Sequence, residues 1–236
     1  MKSFLALLIL AAAATVEAAP KQVRVFVALC DNKTQGIQPV GQKLGNGDDP
    51  DSNLYWGCSE GFDSVFRRSD RWTIKTAEKD VSTKILRRLT LVHNGSSEIN
   101  LVADAYRGSE IRQCLRDFEI AAASDKFDLV AFIGHNGLMD FDLQIPSKTE
   151  GNKTEVIVLC CVSEAYFGGR LRGLGCRPVL MTQQLMYPGS FLLHAALETW
   201  LKGGSAADIR EASAKAYARN QKISVRAATG VFANSL

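Results

Sequence analysis

The chain has 236 residues, 46% of them hydrophobic and 22% charged, with a formal net charge of +3. That is enough apolar material for a real core and too balanced a charge for a disordered chain or a basic nucleic-acid-binding surface. Six cysteines are too few for a disulfide scaffold of this length, so they pose a choice between staples, metal ligands and a nucleophile.

Residues 1–18 read first. A short positive start (Met1, Lys2, Ser3) precedes an apolar run from Phe4 to Thr15, and Val16 and Ala18 supply small residues before a cleavage point. This is the layout of a secretory signal peptide cut after Ala18 or Ala19, and it predicts a secreted or periplasmic domain over residues 19–236. The apolar run is shorter than the roughly 20 residues needed to span a bilayer, and no later segment is long and apolar enough to do so.

Along the rest of the chain, Gln22 to Leu29 alternates and is β-branched, predicting a strand. Asp31 to Asn53 is rich in Gly, Asp, Asn and Pro and reads as a long surface loop. A short helix is expected within Gly61 to Ser69 and a short strand within Arg71 to Lys75. Val81, Ile85 and Leu89 stand at helical spacing, so Asp80 to Arg88 reads as a helix. Ile99 to Ala105 is a strand. Gly108 to Ala123 is a helix with Ser109 as its cap and Ile111, Leu115, Phe118 and Ala122 on one face.

Two continuous apolar strands follow, Phe127 to Ile133 and Glu155 to Leu159. Ser163 to Arg172 reads as a helix and Pro178 to Met181 as a third strand. Ser190 to Lys202 is a helix apolar nearly all round, hence buried. Gly203 and Gly204 break it, and Ser205 starts a last helix through about Gln221. Apolar strands separated by helices indicate one α/β domain, a mostly parallel sheet with helices on both faces.

In such sheets sites gather beyond the carboxyl ends of the strands. One strand ends in Gly134-His135-Asn136-Gly137, the next in Cys160-Cys161. A thiolate needs a neighbouring base or a lowered pKa, and His135 can supply the base. A helix starting near Ser163 would add its positive end, and main-chain N–H groups around Gly137 and Cys161 would hold an oxyanion. Side chains beyond a strand end alternate, so only one of the two cysteines can face His135.

This pair of strand ends resembles the caspase-like (clan CD) cysteine peptidases, nearest to their CHAT and gingipain-like branches. Val158 to Ser163 (VLCCVS) is similar to the family's strand followed by small-Cys-x-Ser, with Cys161 in the nucleophile position. Ala195 to Ala218 has the family's helix, Gly-Ser break and Ala-rich helix. The likeness runs from about Ile99 to Lys222. In the family Gly directly follows the His, whereas Asn136 intervenes here, and the His-to-Cys separation is shorter than the roughly 50 residues of caspases themselves.

The resemblance implies a three-layer sandwich and a Cys161–His135 dyad that cleaves peptide bonds, with no metal and no cofactor. Cys160 then packs as a small hydrophobe. It also implies Asp31, at the end of the first strand, as a substrate-binding acid for a basic side chain. The alternative is a caspase-like domain that binds a peptide or protein partner without chemistry. A third reading is an unrelated open α/β protein that holds a small ligand at the same strand ends. A zinc site is disfavoured because adjacent cysteines do not easily share one tetrahedral ion. His93, in a turn signal, reads as solvated, and His194 as a hydrogen-bonded core residue.

Export permits disulfides. Cys30 and Cys58 flank the long loop and are expected to bridge it, while Cys114 and Cys176 are either a second pair or two free thiols. Three sequons begin at Asn32, Asn94 and Asn152, all in segments read as surface loops.

Overall fold

The computed structural model describes residues 19–95 and 99–234. The export signal read over residues 1–18 lies outside the described residues.

The strands are β1 (Lys21–Ala28), β2 (Trp72–Lys79), β3 (Ile85–His93), β4 (Ile99–Tyr106), β5 (Leu129–Ile133), β6 (Glu155–Leu159) and β7 (Arg177–Leu180). They form one sheet in the order β2-β3-β4-β1-β5-β6-β7. From β4 to β7 every neighbouring pair is parallel, and β2 and β3 join antiparallel at one edge.

The central strands lack polar alternation because both sheet faces are covered. On one face Val25, Val27 and Leu29 meet α1 (Phe62–Arg67), α4 (Phe191–Trp200) and α5 (Ala206–Gln221) through Phe62, Phe66, Leu193, Leu197 and Ile209. On the other face Phe26, Phe132 and Val158 meet α2 (Ile111–Ala123) and α3 (Gly169–Gly173) through Leu115, Phe118 and Leu171. Phe118 is wholly buried and touches three aromatic rings, so its loss would cost about 3–5 kcal/mol. The result is the expected single α/β sandwich. A short α6 (Val225–Thr229) follows α5.

Two buried acids lock neighbouring elements within a layer. Asp104 on β4 receives Arg88 from β3 at 2.7 and 2.9 Å and also Arg24 from β1. Glu119 on α2 receives both arms of Arg170 at 2.7 Å, fixing α3 against α2.

Three local expectations are corrected. Asp80 to Arg88 is not a helix: Asp80 to Lys84 turn the chain and Ile85 opens β3. Ser109 does not cap α2, because a 3₁₀ turn over Gly108–Glu110 precedes it. His93 is buried, not solvated, because β3 runs through it. Its Nδ1 accepts from the Gly95 N–H at 3.2 Å and its Nε2–H donates to Glu198 at 3.1 Å. Although burial alone would raise the Glu198 carboxyl, hydrogen bonds from His93 and Arg71 hold it below its usual value.

The expected Cys30–Cys58 bridge does not form. All six cysteines are free thiols, Cys114 and Cys176 included. The long loop is closed instead by Asn53, wholly buried. Asn53 accepts from the Cys30 N–H at 2.9 Å and donates to the Cys30 carbonyl at 2.8 Å. The Cys58 thiol donates to the Leu54 carbonyl at 2.9 Å.

Candidate active site

The sheet order places a crevice before any side chain is considered. The chain leaves β1 toward one edge, by way of β2 and β3, and leaves β5 toward the other, into β6. Neighbouring strands whose connections diverge open a gap above their carboxyl ends. His135 follows β5 and Cys161 follows β6. Both line one cavity of about 510 Å³.

His135 is nearly buried, and its Nε2 lies 2.7 Å from Oδ2 of Asp140. The same oxygen accepts the Gly36 N–H at 3.0 Å. A β-carbon on Gly36 would lie 2.3 Å from the Asp140 carboxylate, so any larger residue there would push that carboxylate from its present place. An acceptor on Nε2 places the neutral ring's proton there and leaves Nδ1 as the basic nitrogen. Asp140 is therefore an orienting acid that the sequence reading did not assign. It stands five positions after the histidine, close enough to have been considered.

Asn136, the residue that departs from the family pattern, is wholly buried and links the two strand ends. Its Nδ2 donates to the Cys161 carbonyl at 2.7 Å and its Oδ1 accepts the Leu138 N–H at 3.2 Å. That second bond caps the 3₁₀ turn over Gly137–Met139.

Cys161 is partly exposed, whereas Cys160 is buried among Phe132, Phe167 and Met181 on the α2 side of the sheet. Burial holds the Cys160 thiol well above its ordinary value, with the neighbouring Cys161 adding to the rise. The turn after Cys161 is tight: Val162 has φ +51°. Ser163 is turned into the core, where its Oγ donates to the Val158 carbonyl at 2.9 Å and accepts the Thr182 N–H at 2.8 Å. The expected α-helical start is a π turn over Glu164–Gly168 that runs into α3.

The loop after β7 completes the cavity. The Met186 N–H points at Sγ of Cys161 at 3.4 Å, and the thiol donates to the Met186 carbonyl at 3.5 Å. The Gly137 N–H, expected in an oxyanion hole, is engaged by the His135 carbonyl at 3.0 Å. The main-chain donor beside the sulfur is Met186. Nothing in the composition of residues 182–189 pointed to it, because its role comes from a main-chain group. Tyr55 also lines the cavity, and burial and nearby thiols hold its hydroxyl well above its ordinary value.

Asp31 is not brought into this cavity. Its carboxylate closes its own loop, accepting the Lys33 N–H at 3.0 Å and the Thr34 hydroxyl at 2.6 Å. His194 lies elsewhere, on α4, where its Nε2 meets the Ser69 hydroxyl at 2.8 Å. Burial lowers its pKa. Among the described residues no three His, Cys, Asp or Glu side chains converge as metal ligands, and no helix is long and apolar enough to cross a membrane.

No protein-family model, curated protein or solved structure matches this chain.

Proposed function

We propose that this protein is an exported cysteine peptidase of the caspase-like type. The observation that carries the reading is the convergence of Cys161 and His135, from adjacent parallel strands, on one cavity. His135 takes the Cys161 thiol proton on Nδ1, and the thiolate attacks a peptide carbonyl. The Met186 N–H, already aimed at the sulfur, stabilises the oxyanion. As the C–N bond breaks, His135 returns the proton to the departing amine, leaving a thioester on Cys161. Water then attacks the thioester, gives a proton to His135 and releases the acid, and the proton returns to sulfur. Asp140 keeps the imidazole in the tautomer this sequence needs.

The test is peptide cleavage under reducing conditions by the unaltered chain, Cys161→Ala and His135→Ala. Loss of cleavage in both variants is expected. Activity that survives both would overturn the reading.

A second reading is a partner-binding domain without chemistry. It is supported by the resting hydrogen bond of the Cys161 thiol, which goes to the Met186 carbonyl at 3.5 Å and not to His135. Iodoacetamide labelling at pH 7 separates the two. A peptidase labels Cys161 faster than an ordinary thiol, and a binding domain does not.

A further inference from the structure

The cavity beside Cys161 has a chemical character that the proposed reaction does not dictate. Its walls are built from Ile37, Leu54, Met139, Leu185, Met186 and Pro188. No Asp, Glu, Lys or Arg stands among the described residues that line it. The acids nearby already have partners. Asp31 is held by Lys33 and Thr34, Asp140 by His135 and Gly36, and Glu60 by Asn220 and the Tyr187 hydroxyl. The hydroxyls of Tyr55 and Tyr187 keep their protons, because burial holds both well above their ordinary values. At the mouth, Met139 is 45% and Leu185 71% exposed, apolar surface that a bound side chain would cover.

We infer that the cavity selects a large apolar side chain, leucine, methionine or phenylalanine, on the residue whose carbonyl Cys161 attacks. This inference rests on the Cys161–His135 reading. A basic or acidic side chain placed here would leave water without a counter-charge, which is far costlier than burying a hydrocarbon. Its volume lies within the range of pockets that enclose small ligands, so an aromatic ring fits. Apolar burial of this size corresponds to a preference of roughly 10- to 100-fold over alanine. The discrimination against arginine or aspartate should be at least about as large.

The experiment uses the full chain and four peptidyl acyloxymethyl ketones that differ only in the residue next to the reactive group: Leu, Phe, Arg or Asp. Rates of Cys161 alkylation are read by mass spectrometry, with iodoacetamide as the unselective reference. In parallel, the four peptides with inert amide ends are titrated against Cys161→Ala. Leu and Phe are expected to label at least about 10-fold faster than Arg and Asp and to bind more tightly. Leu185→Asp, at the exposed rim, is expected to narrow the gap to the Arg probe by several-fold, each rate being taken relative to the same variant's iodoacetamide rate. Equal rates for all four probes, or an Arg or Asp probe in the lead, would overturn the inference. Should His135→Ala label as fast as the unaltered chain, the catalytic reading falls. The amide titration then still decides the apolar preference.

Discussion

Asn136 Nδ2 lies 2.7 Å from the main-chain carbonyl of Cys161, so the end of β5 holds the end of β6 in place through one buried amide. The same side chain caps the following 3₁₀ turn through Oδ1. Alanine at 136 would strand both partners and is expected to cost about 1–3 kcal/mol. Asn136→Asp should be worse, because a carboxylate oxygen would face a carbonyl oxygen. Urea denaturation reads the stability, and Cys161 alkylation reads the position of the sulfur. Both should fall, and more in the Asp variant. An Asn136→Asp protein as stable as Asn136→Ala would contradict this role.

The His135–Asp140 contact predicts a catalytic effect with little loss of fold, since Asp140 is partly exposed on a turn. Asp140→Ala frees the ring and its tautomer. Peptide cleavage is expected to drop on the order of 100-fold. A purely structural role would lower kcat only together with the urea midpoint, whereas loss of an orienting carboxylate should lower kcat with the midpoint nearly unmoved. An unchanged kcat would remove Asp140 from the mechanism.

Val162 is a β-branched residue at φ +51°, immediately after the candidate nucleophile. Left-handed backbone costs an L-residue roughly 1–2 kcal/mol, and a glycine returns part of that gain as chain entropy, about 0.5–1 kcal/mol. Val162→Gly should therefore be neutral or stabilising by up to about 1 kcal/mol. Strained backbone at such a turn holds the preceding side chain in one direction. The same variant is accordingly expected to slow Cys161 alkylation by an activity-based probe. Slower labelling with a higher urea midpoint is the diagnostic combination.

The sequence made the parallel core legible because its strands are short, apolar and separated by helices of clear period. It failed at β3 for a local reason. The register between β3 and β4 shifts between Ile85 and Arg87, so Leu86 and Leu89 both point inward three positions apart. From Leu89 the alternation is regular, through Leu91 and His93. The helical spacing of Val81, Ile85 and Leu89 is thus coincidental: Val81 lies in the turn before β3, and Ile85 packs on one sheet face and Leu89 on the other. At the site, the sequence made legible that His135 and Cys161 end neighbouring strands, and both line one cavity. What was missed depends on tertiary placement: the Asp140 carboxylate, the Met186 main chain, and the Asn53 amide that closes the loop where a disulfide was expected.

The buried thiols make stability depend on alkaline pH. Burial first, then the Asp31 carboxylate, pushes Cys30 up to about 12, and burial pushes Cys176 up to about 11, from an ordinary value of 9.0. Folded, both keep their protons where the unfolded chain has lost them. The unfolded state thus binds fewer protons from about pH 9 upward, and stability falls as pH rises toward 11–12, by about 1 kcal/mol per pH unit for each thiol. Well below pH 9 these two groups contribute almost no slope, since both states then keep the protons. Urea midpoints between pH 7 and pH 10.5 check the sign, and a midpoint that rises above pH 9 would contradict it.

The sequon at Asn152 is expected to stay unoccupied in folded protein, although it was read as a surface loop. Asn152 is buried, and its Nδ2 donates to the Ala122 carbonyl at 2.8 Å and the Leu174 carbonyl at 3.0 Å, tying the end of α2 to the end of α3. Its Oδ1 accepts the Thr154 N–H at 3.0 Å. A glycan on that nitrogen would break both donations and push a sugar into the packed layer. Asn94 differs: its side chain is exposed, although it bonds Asp70 and Thr73. Expression through a eukaryotic secretory pathway followed by glycopeptide mapping should therefore find no sugar at Asn152 in the soluble product. The unglycosylatable Thr154→Val, which keeps the Asn152 amide, should fold as well as the parent or better, because the Thr154 hydroxyl is buried without a partner. Asn152→Ala should lose about 1–3 kcal/mol by leaving the two carbonyls unpaired.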